Sequence, residues 1–170
     1  MAENLAETVE QIEKSQSLEL QGKISAAFAL AQSALEAALE TGQPGMVSRA
    51  RMRLAAVHYR LGHDEQARCL AEQVLGQPPL PDTPSAIARV EALLMLGMCL
   101  DCPDYVGGRE ELYHQAIDLS RQAGYCLGLL RGLHNLAAGV YLPRGQFDLA
   151  LAADAEALHV ARSQDLKDYA

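Results

Sequence analysis

The sequence predicts an all-α protein in which four antiparallel helical hairpins are stacked along the chain. Three observations predict this fold class: a composition that favours helices, a spacing of about forty residues between turn-forming residues, and small residues at fixed distances from those turns. Of the 170 residues, 49% are apolar, which is enough to bury a continuous core. Alanine and leucine dominate and β-branched residues are sparse, so strands have almost no candidates.

Turn-forming residues recur along the chain at steps of 40, 42 and 41 residues. They are Gly22, Gly62, Asp104 and Gly145. Glycine at such a turn supplies the left-handed backbone conformation that ends a helix, and aspartate adopts it at a modest penalty. A second set of helix stops is expected twenty residues after each turn, at Gly42, Asp82, Gly124 and Asp165.

Small side chains accompany each turn. Seven residues before the turns lie Ser15, Ala55, Gly97 and Ala138. Five residues after the turns lie Ala27, Ala67, Arg109 and Ala150, where only the arginine breaks the pattern. Twelve residues after them lie Ala34, Val74, Ala116 and Ala157. Antiparallel helices joined by a tight turn pack closely where small side chains meet, so these positions are expected to be buried at helix crossings.

Eight helices are predicted within a single domain spanning residues 1–170. Their ranges are 3–20 and 23–41, 45–61 and 64–76, 84–101 and 108–123, and 126–142 and 146–163, which form hairpins at about 3–41, 45–76, 84–123 and 126–163. Four prolines in residues 76–84 forbid a continuous helix there. We interpret this segment as a stiff connector within one solenoid, and the alternative is a division into two lobes. Residues 164–170 begin what would be a further helix, so we expect either a piece of a longer protein or dimerisation through this end.

Three of the hairpins carry residues of a known repeat. The second has Leu54-Ala55, His58, Gly62, Ala67 and Ala71; the third has Leu96-Gly97, Leu100, Tyr113 and Ala116; the fourth has Tyr141, Gly145, Gln146, Phe147, Ala150 and Ala157. This pattern resembles the tetratricopeptide repeat, and the forty-residue period is similar to the long subtype found in kinesin light chains, Rapsyn-like scaffolds and bacterial regulators. The resemblance implies a right-handed α-solenoid. Departures are Arg109 at an alanine position, Asp154 at an aromatic position and Lys14 at a leucine position.

Charge and composition exclude several classes of function. The formal charge is 14 − 22 = −8, which argues against nucleic-acid binding by this segment. No segment reaches the ~18 apolar residues of a membrane span, and the acidic N-terminal stretch does not match a secretory signal, so we expect a cytoplasmic protein with no membrane association. The cysteines Cys69, Cys99, Cys102 and Cys126 are interpreted as reduced thiols.

The sequence offers few candidates for catalysis or metal binding. Cys99-x-x-Cys102 lacks the second Cys or His pair that a structural zinc site requires. A metal site that combines His58 and His63 with a cysteine is a weaker interpretation of these two histidines than a site without metal. Paired acids such as Glu110-Glu111 are typical of a solvated helix face. We therefore expect no catalytic residues, no metal and no cofactor.

The family resemblance implies that the first helix of each hairpin lines a concave groove. Residues of these helices that lie off the apolar stripe are then the candidates for partner binding. They are Arg49, Met52, Arg53, Tyr59 and Arg60 in the second hairpin, Glu91, Leu94, Met98 and Asp101 in the third, and Arg131, His134 and Asn135 in the fourth.

Arg49, Arg53 and Arg60 form the leading candidate, because three guanidinium groups on one helical face could hold a carboxylate or phosphate of a partner peptide. The alternative is a solvated face in which these arginines pair with acids such as Glu91 on the next repeat. Met52 and Met98 could supply adaptable apolar contact, although methionine at this spacing is more often core.

The leading functional hypothesis is a protein–protein interaction module that binds a partner or peptide in its groove. The resemblance implies a regulatory segment of a larger bacterial signalling or transcription-control protein. A second hypothesis is a self-association scaffold that forms a homodimer through its terminal repeats. A third is an enzyme of unrecognised type, which would need a convergent polar pocket.

Overall fold

The computed structural model describes residues 2–99 and 106–164, with side chains described from residue 5 and, after the gap, from residue 108. These ranges consist mainly of helices and contain no strand. The chain divides into two compact units, Met1–Ala88 (unit 1) and Arg89–Ala170 (unit 2). The boundary falls inside a helix and not in the proline-rich connector.

Eight α-helices occupy the described ranges. They are α1 Ala2–Leu20, α2 Ile24–Thr41, α3 Pro44–Arg60, α4 Asp64–Leu75, α5 Thr83–Cys99, α6 Val106–Ala123, α7 Cys126–Leu136 and α8 Phe147–Ser163. The predicted ends agree within two residues, except at the end of α7. The predicted end of the fifth helix, at residue 101, lies outside the described residues.

Five glycines with positive φ follow helical segments. The φ values are 74° at Gly22, 64° at Gly42, 73° at Gly62, 65° at Gly124 and 70° at Gly145. The backbone N–H of Gly62 donates to the Tyr59 carbonyl at 3.0 Å, and the backbone N–H of His63 donates to the His58 carbonyl at 2.9 Å. This paired arrangement satisfies the last carbonyls of a helix and requires a left-handed residue. The predicted turns at Gly22, Gly62 and Gly145 are confirmed, whereas Asp104 lies outside the described residues.

The second set of helix stops is only partly correct. Gly42, with φ 64°, and Gly124 end helices as predicted. Asp82 does the opposite, because its carboxylate accepts hydrogen bonds from the Ser85 backbone N–H at 2.8 Å and from the Ser85 hydroxyl at 2.9 Å. A side-chain carboxylate that accepts a hydrogen bond from a backbone N–H of the first helical turn is an N-cap. Asp82 is therefore the N-cap of α5. Asp165 lies outside the described residues.

In unit 1, α2 packs against α1 on one side and α3 on the other, and α3 also packs against α4. The buried stripe of α2 consists of Ala27, Ala31, Ala34 and Ala38. Leu54 and Val57 of α3 pack against this stripe. At the crossing of α1 and α2, the buried Ser15 hydroxyl donates to the Ala27 carbonyl at 2.8 Å. The small residues predicted at helix crossings therefore allow close approach in this unit.

In unit 2, α7 packs against both α6 and α8. Gly97 of α5 faces the Tyr113 ring so closely that an added β-carbon would clash with it. Ala138, the equivalent small residue of the fourth hairpin, was expected to be buried and is exposed. The reason is a π-helical turn over Ala137–Tyr141, in which Leu142 N–H donates to Ala137 O at 2.9 Å. The extra residue shifts the helix face, so Ala137 is buried instead.

Candidate functional site

The arginines of α3 lie on one narrow strip of the helix in unit 1. At about 100° per residue, positions 49, 53 and 60 fall within roughly 40° of each other. Arg53 Nη2 forms an ion pair and hydrogen bond with Glu19 Oε2 of α1. Arg60 Nε lies 3.6 Å from the other oxygen of the same carboxylate. A carboxylate is therefore already held between two of the three arginines predicted to bind one.

Exposure separates the roles of these arginines. The Arg53 side chain is 9% exposed and the Arg60 side chain is 60% exposed. Arg49 is half-buried, as is Tyr59. An ion pair that is shielded from water is screened less by salt than an exposed one. Arg53 is thus the fixed member of the strip, and Arg60 is its most accessible member.

The alternative interpretation, in which the arginines pair with acids, is correct for Arg53 but names the wrong acid. The partner is Glu19 of the preceding hairpin, whereas Glu91 lies in unit 2 and binds Arg131. The sequence prediction does not include Glu19, because it pairs the arginines only with acids of the next repeat. The signal was present as a spacing of 34 residues, which also separates Glu91 from Tyr125 and Glu110 from Arg144.

Two of the predicted groove residues are buried. Met52 is 5% exposed and Leu94 is fully buried. The expectation that they are exposed is wrong, and the reason for Met52 is that α3 packs against α2 on one side and α4 on another. A helix covered on two sides keeps only a narrow strip in contact with solvent. Met52 therefore belongs to the core of unit 1.

Two of the predicted residues of unit 2, Glu91 of α5 and Arg131 of α7, are in direct contact. Glu91 Oε2 accepts a hydrogen bond from Arg131 Nη1 of α7 at 2.6 Å. Glu91 Oε1 accepts one from the Tyr125 hydroxyl, also at 2.6 Å. Both carboxylate oxygens are thereby satisfied, and such charge-assisted bonds are stronger than neutral ones. This cluster holds α5 against α7. Because Glu91 and Arg131 already pair with each other, their charges are less available to a partner protein than the sequence predicts.

The remaining predicted residues are spread over the surface of unit 2. His134 Nδ1 lies 3.0 Å from Asp154 Oδ1, with both side chains largely exposed. Met98 and Asn135 are half-buried. Asp101 lies outside the described residues. An exposed pair such as His134 with Asp154 contributes little to stability and is open to exchange with a partner's charges.

Two histidines meet at the turn between α3 and α4. Their Nδ1 atoms lie 3.3 Å apart, so at least one imidazole must be neutral for a hydrogen bond to form. The Phe28 ring meets His58 edge-on, with 5.1 Å between ring centroids. The pKa of His58 is lowered, first by burial and then by His63. This pair is a candidate for pH sensitivity in unit 1.

Other chemistry is sparse in the part of the chain that the structure covers. There, no three His, Cys, Asp or Glu side chains are grouped so that they could hold a metal ion. Cys69 is exposed and Cys126 is half-buried, and neither forms a disulfide bond. None of the helices within residues 2–99 and 106–164 is long and apolar enough to cross a membrane.

A scan against protein-family models finds none that matches this chain, and a search of curated proteins finds no significant match. The resemblance to tetratricopeptide repeats therefore rests on the spacing of the chain's own residues.

Proposed function

We propose that this chain is a protein-interaction module whose α3 strip, Arg49, Arg53 and Arg60, binds an acidic segment of a partner protein. The observation that carries this proposal is the carboxylate of Glu19 seated between Arg53 and Arg60. A site that holds one carboxylate inside the molecule has the chemistry to hold another at its accessible end. Arg49 and Arg60 are the residues offered to the partner, and Arg53 anchors the strip.

The electrostatics of the chain support selectivity for an acidic ligand. With a formal charge of −8, most of the surface repels acidic peptides, so binding requires a local cationic strip. Guanidinium groups suit this task because they form paired hydrogen bonds with carboxylates. Binding at this strip is expected to weaken as salt rises, since Arg60 is exposed to the solvent.

The wider setting follows from the repeat spacing. We propose that the helical hairpins form a tetratricopeptide-like solenoid that presents its first helices to a peptide. In this proposal the module is a cytoplasmic regulatory segment of a larger bacterial signalling or transcription-control protein, without catalytic activity of its own. The supporting observation is the register of turn glycines, which lie between the helices, and of small residues, most of which are buried within them.

Fluorescence anisotropy with a labelled oligoglutamate peptide tests the proposal, and an oligoglutamine peptide of equal length serves as the ligand control. The variant Arg49→Ala/Arg60→Ala keeps Arg53 in contact with Glu19 and removes the accessible guanidinium groups. We expect its Kd for oligoglutamate to rise by at least about tenfold, since charge-assisted hydrogen bonds contribute on the order of 1.5–3 kcal/mol each. Arg68→Ala, which removes an exposed arginine of α4, is the matched control. Equal affinity of the wild type for both peptides, or an unchanged Kd in the double variant, would contradict the proposal.

A further inference from the structure

Helix α8 exposes an apolar stripe on one side. Phe147 is 68% exposed and Leu151 is 72% exposed, while Leu158, on the same stripe, is half-buried. At about 100° per residue these three positions fall within roughly 40° of each other. Another side of the helix is buried within unit 2, through Ala150, Ala153, Ala157 and Ala161. Burial of exposed leucine and phenylalanine side chains is the main driving force for association.

The first hairpin shows what this stripe does elsewhere in the molecule. Counted from the turn glycine, Phe147, Leu151 and Leu158 occupy the positions held by Ile24, Phe28 and Leu35 of α2. Those residues pack against the cluster that contains Leu54 and Val57 of α3. The stripe is therefore a helix-docking surface in the first hairpin. In α8 two of the same positions, Phe147 and Leu151, are exposed to solvent.

The stripe and the residues next to it indicate which kind of helix could pack on this surface of α8. Asp148, Leu151, Ala155, Leu158 and Arg162 follow one another at spacings of three, four, three and four residues, the repeat of a helix–helix seam. The exposed Ala155 lies at the centre, where a small side chain allows two helices to approach. Asp148 and Arg162 each lie seven residues from it, and both are exposed.

From this pattern we infer that α8 is a homodimer interface, on which α8 of a second copy docks in the antiparallel direction about Ala155. A two-fold axis at Ala155 places Asp148 opposite Arg162 of the second copy, and Arg162 opposite Asp148 of that copy. Leu151 and Leu158 of both copies are then buried between these two ion pairs. Any helix that docks here in this direction needs a basic residue opposite Asp148 and an acidic residue opposite Arg162. Helix α8 of a second copy supplies both. This interface uses none of the α3 arginines and is independent of acidic-segment binding.

Sedimentation equilibrium over a range of protein concentrations tests the apolar part of the interface. The wild type is expected to show a concentration-dependent monomer–dimer equilibrium. Leu151→Glu is expected to raise the dimer Kd by at least about tenfold, because it places a charge in the seam. Leu149→Glu is the matched control, since Leu149 is also an exposed leucine of α8 but lies well away from the stripe. A strictly monomeric wild type, or a dimer that Leu151→Glu leaves intact, overturns the inference.

Charge reversal tests the antiparallel direction. Asp148→Arg places two arginines opposite each other at both ends of the seam, and Arg162→Asp places two aspartates there. Each single variant is expected to dimerise more weakly than the wild type, and the double variant Asp148→Arg/Arg162→Asp is expected to regain the wild-type dimer Kd. Circular dichroism verifies that each variant keeps its helices. A double variant no tighter than either single variant overturns the antiparallel arrangement.

Discussion

The carboxylate of Glu91 accepts a hydrogen bond from Arg131 Nη1 at 2.6 Å, and the two residues are separated by 40 positions in the sequence. That separation is close to the repeat period, so the bond joins equivalent regions of successive first helices, α5 and α7. In unit 1, Glu19 and Arg53 also join α1 and α3, across a separation of 34 residues. Both residues of the unit 2 pair were predicted as groove residues, and both are part of the packing between helices.

Replacement of Glu91 is expected to destabilise unit 2. Glu91→Ala removes the acceptor of both the Arg131 and Tyr125 hydrogen bonds, with an expected loss of about 1–3 kcal/mol in the free energy of unfolding. Urea unfolding followed by circular dichroism measures this. Glu111→Ala, which removes an exposed carboxylate from α6, should change the free energy of unfolding by less than about 0.5 kcal/mol. Equal effects of the two substitutions would show that the Glu91 cluster adds no stability.

A methyl group added at Gly128 should destabilise α7. Its β-carbon would lie 2.7 Å from Ser120 Oγ and 2.7 Å from Val90 Cγ1, both within unit 2. We expect Gly128→Ala to lower the free energy of unfolding by about 1–3 kcal/mol, the usual range for overpacking. Gly108→Ala in α6 has no neighbour within 4 Å, so it should be neutral or stabilising by up to about 1 kcal/mol. Thermal unfolding of the two variants compares them, and the reverse order of stability would be inconsistent with this packing.

The titration of His58 reports on its contacts. NMR titration should give a pKa of His58 below the usual value of 6.5, because burial and His63 both disfavour the imidazolium. His63→Asn should raise the pKa of His58 without restoring it fully, since burial is the larger cause. His159→Asn, which replaces an exposed histidine of α8, should leave the pKa of His58 unchanged. A His58 pKa at or above 6.5 in the wild type would be incompatible with the observed packing.

The same shift sets the direction of a stability change with pH. Because the pKa of His58 is lower in the folded state, the unfolded state binds protons more readily as the pH falls. Stability is complete above the unfolded pKa and decreases as pH falls through 6.5 toward the folded value. His58→Asn should therefore show a weaker loss of stability between about pH 7 and pH 5 than the wild type. Urea midpoints at both pH values provide the comparison, and parallel losses in the two proteins would assign the pH dependence to other groups.

Removal of the internal acid should strengthen binding of an external one. Glu19→Gln removes the charge that neutralises Arg53 and Arg60, so the Kd for oligoglutamate should fall severalfold. The free energy of unfolding should also fall, by about 1 kcal/mol, because the Arg53 pair is shielded from solvent. Glu65→Gln, on the exposed side of α4, is the control for the loss of one negative charge. An equal gain in affinity in both variants would indicate a general charge effect and not a site at α3.

Local chemistry made the helices and turns predictable from the sequence. Gly22, Gly62 and Gly145 adopt a backbone conformation that other residues adopt at a cost, so their spacing located the hairpin turns. The spacing does not predict the π-helical turn that exposes Ala138, because the glycine within it, Gly139, has no positive φ and does not end a helix. Spacing predicts a helix stop at Asp82, whereas Asp82 caps the start of α5, because its role depends on the hydrogen bond from Ser85 and not on its distance from a turn.

The candidate site was harder to predict than the fold. Spacing along α3 placed the three arginines on one strip, which the structure also shows, but it carried no information about Glu19 on another helix. Spacing along α3 places Met52 at the surface, whereas α3 is covered on two sides and Met52 is buried; Leu94 of α5 is buried as well. Burial and ion pairing of first-helix residues depend on which helices pack together, and that is a property of the folded units.

NMR of the arginine Nε–Hε groups during addition of the oligoglutamate peptide tests the central proposal most directly. We expect saturable shifts in the signals of Arg49 and Arg60, whereas the signal of Arg68 stays unchanged and serves as an internal reference. Raising the salt concentration should reduce these shifts. Shifts of similar size at Arg68 and Arg60, or no shift at Arg49 and Arg60 at saturating peptide, would contradict the assignment of α3 as the partner-binding strip.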